Sequence, residues 1–151
     1  MDIQLNEIPD NLIAEEYVAR FQKKFGERIN KAEAAANHLR AFLRDCDQSV
    51  ENFMVIFLNN QNQQITTEVI SSGTINTAAV FPRQIVKNVI QHEASSVILG
   101  HNHPSGETTP SSSDRAITRK IKDALELISV STLDHVIIGD GYYSFADQGL
   151  L

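Results

Sequence analysis

The pattern of apolar and polar positions divides the chain into nine elements. Between Leu12 and Phe25, apolar residues recur every four positions at Ile13, Tyr17, Phe21 and Phe25, one face of a helix, with Pro9 and Asp10 at its start and Gly26 as a stop. Asn30 and Glu33 have capping-box spacing and predict a second helix running to about Asp45, with Leu39, Phe42 and Leu43 on its apolar face. Phe53-Met54-Val55-Ile56-Phe57-Leu58 is apolar on both faces, as expected of a strand buried between two layers. After the polar turn Asn59–Asn62, residues Gln64 to Ile70 predict an antiparallel partner, followed by a Gly/Ser/Thr-rich loop from Ser71 to Val80. Pro82 suits the first position of a third helix that ends near Glu93, with Ile85, Val86, Val89 and Ile90 as its buried stripe. Ser95–Leu99 reads as a buried strand, and Asp114–Ile128 as an amphipathic helix with Ile117, Ile121, Leu125 and Ile128 inward. Leu133–Ile138, the Asp140-Gly141 turn and Tyr142–Phe145 complete a hairpin. The order ααββαβαββ predicts an α/β domain whose mixed sheet carries helices on both faces.

Length and composition add bounds. A chain of 151 residues, 42% hydrophobic and 21% charged, suits one ordinary globular domain. The net charge of −6 and the lack of a dense Lys/Arg cluster argue against a dedicated nucleic-acid binder, and Arg115, Arg119 and Lys122 read as a solvated helix face. Cys46 stands alone, so no internal disulfide forms. The start Met1-Asp2-Ile3-Gln4 is unlike a secretory leader, and no apolar run approaches the ~20 residues of a membrane span. The expectation is a cytoplasmic protein with no membrane partner, whose N-terminal helices serve core packing or a homodimer contact.

The chemistry concentrates between the 95–99 strand and the helix after it. His101 and His103, two apart in extended chain, point the same way, and Asp114 in the first helical turn returns a carboxylate toward them. Both imidazoles can reach one ion at about 2.0–2.1 Å, and three protein ligands leave a fourth tetrahedral position open, the pattern of a catalytic zinc. Taken alone, a His-x-His pair is a weak motif, and Ser111-x-x-Asp114 also has the form of a helix cap. A zinc hydrolase needs a proton acceptor outside the ligand set for a water whose pKa falls to about 7 on the metal. Glu51, at the mouth of the buried strand, is the best-placed carboxylate, with an edge marker as its plainer reading; Glu68, Glu93 and Glu107 are its rivals. His135 reads as a structural, hydrogen-bonded histidine inside a strand, His92 as a helix-end residue and His38 as solvent-facing. Asn102 and Ser105 either shape the loop or touch substrate, and Cys46 packs.

His101, His103, Ser111 and Asp114 together resemble the JAMM signature of MPN-type metalloproteases, and Glu51 before its hydrophobic strand matches that family's upstream glutamate. His101-Asn102-His103-Pro104-Ser105-Gly106, Thr109-Pro110-Ser111, Leu133-Asp134-His135-Val136-Ile137-Ile138-Gly139, Gly73-Thr74 and Pro82-Arg83 resemble its RadC subfamily over roughly residues 31–147. The resemblance implies a three-layer α/β/α domain like that of cytidine deaminases over residues 31–151, with residues 1–30 as an N-terminal helical extension. It implies Zn2+ held by His101, His103 and Asp114, Glu51 as general acid/base, and Ser111 steadying the oxyanion. The reaction is then hydrolysis of a peptide or isopeptide bond in a peptide or protein-conjugate substrate. Longer RadC proteins carry a helix-hairpin-helix segment ahead of this domain; residues 1–30 show no Gly-x-Gly hairpin of that kind, so the likeness is to a short form. The alternative is a binding module in DNA repair or mobile-element biology with a structural or vestigial metal. Hydrolysis of a nucleobase amine ranks last, because the Pro-Cys-x-x-Cys ligands of that class are missing.

Overall fold

A computed structural model describes residues 9–21, 25–73 and 80–151, with 16–21 described by backbone alone. Among these residues the elements follow the expected order: α1 (Asp10–Phe21), α2 (Ala32–Leu43), β1 (Glu51–Leu58), β2 (Gln64–Gly73), α3 (Pro82–His92), β3 (Ser96–Asn102), α4 (Ser112–Glu126), β4 (Ser131–Ile138) and β5 (Tyr142–Ser144). The strands form one mixed sheet in the order β2-β1-β3-β4-β5. All neighbours are antiparallel except β3 and β4, which are parallel and joined through α4.

Every residue of β1 after Glu51 is buried, as is all of β3, because each strand has a packed layer on both faces. On one face Phe53, Val55, Phe57, Val97 and Leu99 meet Ile85 and Val89 of α3 and Ile117, Ile121 and Leu125 of α4. On the other, Met54, Ile56, Leu58, Ile98, Val136 and Ile138 meet Ala35, Ala36, Leu39 and Leu43 of α2. The result is a three-layer α/β/α domain. No helix among the described residues is long and apolar enough to cross a membrane.

Several local expectations are corrected. The cap of α2 is Lys31, with no side-chain hydrogen bond, because Asn30 instead accepts from Asn62 Nδ2 at 3.2 Å. Phe25 lies beyond α1 and is exposed, as are Leu12 and Ile13, whereas Tyr17 and Phe21 fall among side chains outside the description. Ile90 and Ile128 also face outward. The β2 strand continues to Gly73, and residues 74–79 of the expected loop lie outside the described residues. The β3 strand runs on through His101 to Asn102, so the first histidine belongs to the sheet and not to a loop.

Candidate metal centre

Sheet polarity brings the site together. Because β1 and β3 are antiparallel, the start of β1 lies beside the end of β3, with Phe53 opposite His101. The pairing ends there, and beyond it the Asn52 amide donates to the Asn102 side-chain oxygen at 2.8 Å. Alternation then puts Glu51 and Phe53 on the sheet face that carries His101, the face covered by α3 and α4. The N-terminus of α4 supplies the third wall. Ser111 caps it, accepting from the Asp114 amide at 3.0 Å, while the Ser111 amide donates to Asp114 Oδ2 at 2.8 Å. The cap of the two sequence readings of Ser111-x-x-Asp114 is present, and it leaves the other open, because the capping box fixes the direction of the Asp114 carboxylate.

His101, His103 and Asp114 converge. His101 Nε2 lies 2.8 Å from His103 Nε2 and 3.2 Å from Asp114 Oδ1, and His103 Nε2 lies 3.3 Å from Asp114 Oδ2. Ligand atoms at tetrahedral zinc distances stand about 3.3–3.4 Å apart, so the cluster needs to open only slightly around an ion. The donor set also fits. His103 Nδ1 donates to the Glu107 carbonyl at 2.6 Å, since a carbonyl can only accept, and that turns the lone pair of a neutral ring at Nε2 inward. Burial pushes the Asp114 carboxyl up, but the hydrogen bond and charge of His101 and the Ser111 contacts outweigh it and hold the group well below the usual carboxylate range. A proton on one imidazole satisfies part of this inward-facing set, whereas a metal cation satisfies all of it.

The surroundings hold the ligands rigidly. His101 is wholly buried, with its ring stacked on Phe53 at 6.2 Å between centroids. Its Nδ1 lies 2.8 Å from His135 Nε2, and His135 Nδ1 lies 2.5 Å from Thr118 Oγ1, which donates to the Asp114 carbonyl at 2.6 Å. His135 stacks on Phe145, and burial, then the charge of His101, hold its imidazole far below its usual value. His103 leaves the strand with its amide donating to Ile138 O at 2.8 Å, and its carbonyl accepts from Gly106 N at 3.0 Å.

The rival carboxylates lie elsewhere. Glu68 lies midway along the edge strand β2, opposite Val55, where it accepts from Asn88 Nδ2 and meets His92 Nε2, each at 2.7 Å. Glu93 ends α3 at the opposite end of β3, and the Glu107 side chain is exposed. His92 is therefore a hydrogen-bond partner of Glu68 as well as a helix-end residue. His38 is mostly buried rather than solvent-facing, with Nε2 2.7 Å from Thr67 Oγ1. Asn102 shapes the site: its side chain bonds the backbone on both sides of Glu51, donating to Val50 O at 2.9 Å and accepting from Asn52 N at 2.8 Å. Thr118 has no signal in the sequence beyond its place one turn after Asp114.

A family model described as the RadC-like JAB domain matches residues 29–150. Among curated relatives, a UPF0758 protein of Vibrio atlanticus is 42% identical over 133 residues, covering 85% of this chain and 59% of its own. A UPF0758 protein of Photobacterium profundum is 47% identical over 129 residues, covering 85% and 57%. One of Vibrio parahaemolyticus is 41% identical over 138 residues, covering 91% and 60%. The chain thus spans about 60% of the length of these relatives.

Proposed function

This chain belongs to the RadC-like JAB domain family, and on that premise we propose that it is a zinc metallopeptidase hydrolysing a peptide or isopeptide bond. The observation that carries the reading is the convergence of His101, His103 and Asp114 beside the strand end that bears Glu51. Zn2+ held by these three side chains would supply Lewis acidity toward a carbonyl and would lower the pKa of a water molecule to about 7. The chain's own residues do the rest. Glu51 accepts a proton from the attacking water and returns it to the departing amine. Ser111 spends a lone pair on its helix cap and keeps its hydroxyl hydrogen to donate to the developing oxyanion. The buried Phe53, stacked on His101, keeps the inner side of the site dry, which strengthens these polar interactions.

The test separates binding from chemistry. Glu51→Gln should abolish peptide cleavage while zinc content stays at the wild-type level; unchanged turnover would remove Glu51 from the mechanism. A DNA-directed binding module is a second reading, favoured by one observation: Arg115, Arg119 and Lys122, against the single side-chain carboxylate of Asp123, line a groove of about 340 Å³ with Thr118 and residues 149–151. Its mark is DNA affinity that falls steeply with salt. Absence of such binding at low ionic strength ends it.

A further inference from the structure

The contacts behind His101 have a direction that can be worked out proton by proton. The Asp114 carbonyl only accepts, so Thr118 Oγ1 donates its one hydrogen there, at 2.6 Å. In its other contact, with His135 Nδ1, the same oxygen must then accept, so His135 carries its proton on Nδ1. His135 is wholly enclosed, with Phe53 and Phe145 against its ring, and a buried imidazole without a carboxylate partner is neutral. Its Nε2 therefore has a lone pair, which takes the proton of His101 Nδ1 across 2.8 Å. In its neutral form His101 is then left with its lone pair on Nε2, the nitrogen that faces His103 and Asp114.

We infer that His135 and Thr118 form a relay, anchored on the backbone of Asp114, that locks His101 in the tautomer able to bind a metal. His135 is a positioning residue: it acts only through His101. The relay begins at one ligand and ends at another, so it ties α4 to β3 through β4 and couples the placement of both. It does for His101 what the Glu107 carbonyl does for His103. Hydrogen-bond partners of this kind fix ring orientation as well as tautomer, and losing one costs about 10–100-fold in metal affinity.

The inference rests on the metal-holding half of the proposed function and not on peptide cleavage. The direct test is long-range proton–nitrogen correlation NMR on the metal-free full chain at about pH 8, above the usual histidine range. His101 should carry its proton on Nδ1, a result that needs no variant. Zinc affinity, measured by chelator competition, should fall about 10–100-fold in His135→Phe, which keeps the ring packing but has no acceptor. It should recover in large part in His135→Gln, whose side-chain oxygen can accept from His101. A wild-type His101 with no proton on Nδ1 overturns the relay. So does a Gln variant that binds zinc no better than the Phe variant. A wild-type chain that binds no zinc would end the hydrolase reading, while the tautomer result would still decide the relay.

Discussion

The side-chain amide of Asn102 brackets Glu51. One end donates to the carbonyl before it, Val50 O, at 2.9 Å, and the other accepts from the amide after it, Asn52 N, at 2.8 Å. Two peptide planes are thus held by one planar group that stands between the histidines in sequence but points away from their common face. Asn52 reinforces the bracket, accepting from Ser72 Oγ at 2.9 Å and donating to Asp47 O at 2.9 Å. The backbone around Glu51 therefore has little freedom, which limits where its side chain can start from.

Replacing Asn102 with Asp should expose this dependence. The variant keeps an acceptor for Asn52 N but turns a second oxygen toward the Val50 carbonyl. Asn102 is buried, so an unsatisfied acceptor pair there should cost about 1–3 kcal/mol in denaturant unfolding. Peptide turnover should fall by about 1–2 orders of magnitude if Glu51 loses its aim, with zinc stoichiometry intact. Wild-type stability together with wild-type turnover would show that the bracket is incidental.

Metal binding should be visible in stability alone. Three ligands from β3, the turn after it and α4 come together only in the folded chain, so zinc should stabilise it by about 2.7 kcal/mol when free zinc exceeds the dissociation constant a hundredfold. For a domain of this size that is a rise in melting temperature of roughly 5–10 °C. Chelator should reverse the shift, and His103→Ala should not show it. An equal shift in that variant would mean that zinc binds elsewhere.

Asp134 predicts a pH dependence of opposite sign to the usual carboxylate. Burial raises its pKa, against the Ser144 hydroxyl and the Ala146 and His135 amides that donate to it. As pH climbs past the usual carboxylate range, the unfolded chain releases this proton first, and the native state loses stability until its own raised pKa is passed. Asp134→Asn retains an acceptor for the two amides and has no proton to lose. The stability of the variant relative to wild type should therefore increase with pH across that window and then level off. A constant difference in urea unfolding from pH 4 to 7 would remove the effect.

The element order was legible because apolar stripes recur near every four positions in the helices, while the central strands stand out as short unbroken apolar runs between polar turns. The shared direction of His101 and His103 follows from the period of an extended strand, and β3 does continue through His101. Distance in sequence hid the rest. The bond from Asn102 to Val50 spans 52 residues, and the link from His135 to His101 spans 34; neither leaves a local pattern. Periodicity also overreached where a helix outlasts its contact, so that Ile90 and Ile128 continue the stripes of α3 and α4 yet face outward. The Asn30–Glu33 spacing suggested a cap, but Asn30 is committed to Asn62, a competition that only the tertiary structure reveals.

The turn carrying His103 is pinned against β4 so closely that one methyl group should loosen the metal. A Cβ on Gly139 would stand 2.3 Å from Gly106 O and 2.8 Å from Thr108 Cγ2. That oxygen cannot step aside alone, because it accepts from Asp140 N at 2.9 Å while Gly106 N holds the His103 carbonyl at 3.0 Å. Gly139→Ala must therefore push the whole turn outward, with His103 and the Glu107 carbonyl that orients it. The expected cost is about 1–3 kcal/mol of stability, with about tenfold weaker zinc binding as the outer support of His103 shifts. Gly141 is the control: a Cβ there meets nothing within 4 Å, so Gly141→Ala should stay within about 0.5 kcal/mol of wild type and bind zinc normally. Chelator competition on the two variants side by side decides the matter. Equal zinc affinities would show that His103 finds its position without the turn that carries it.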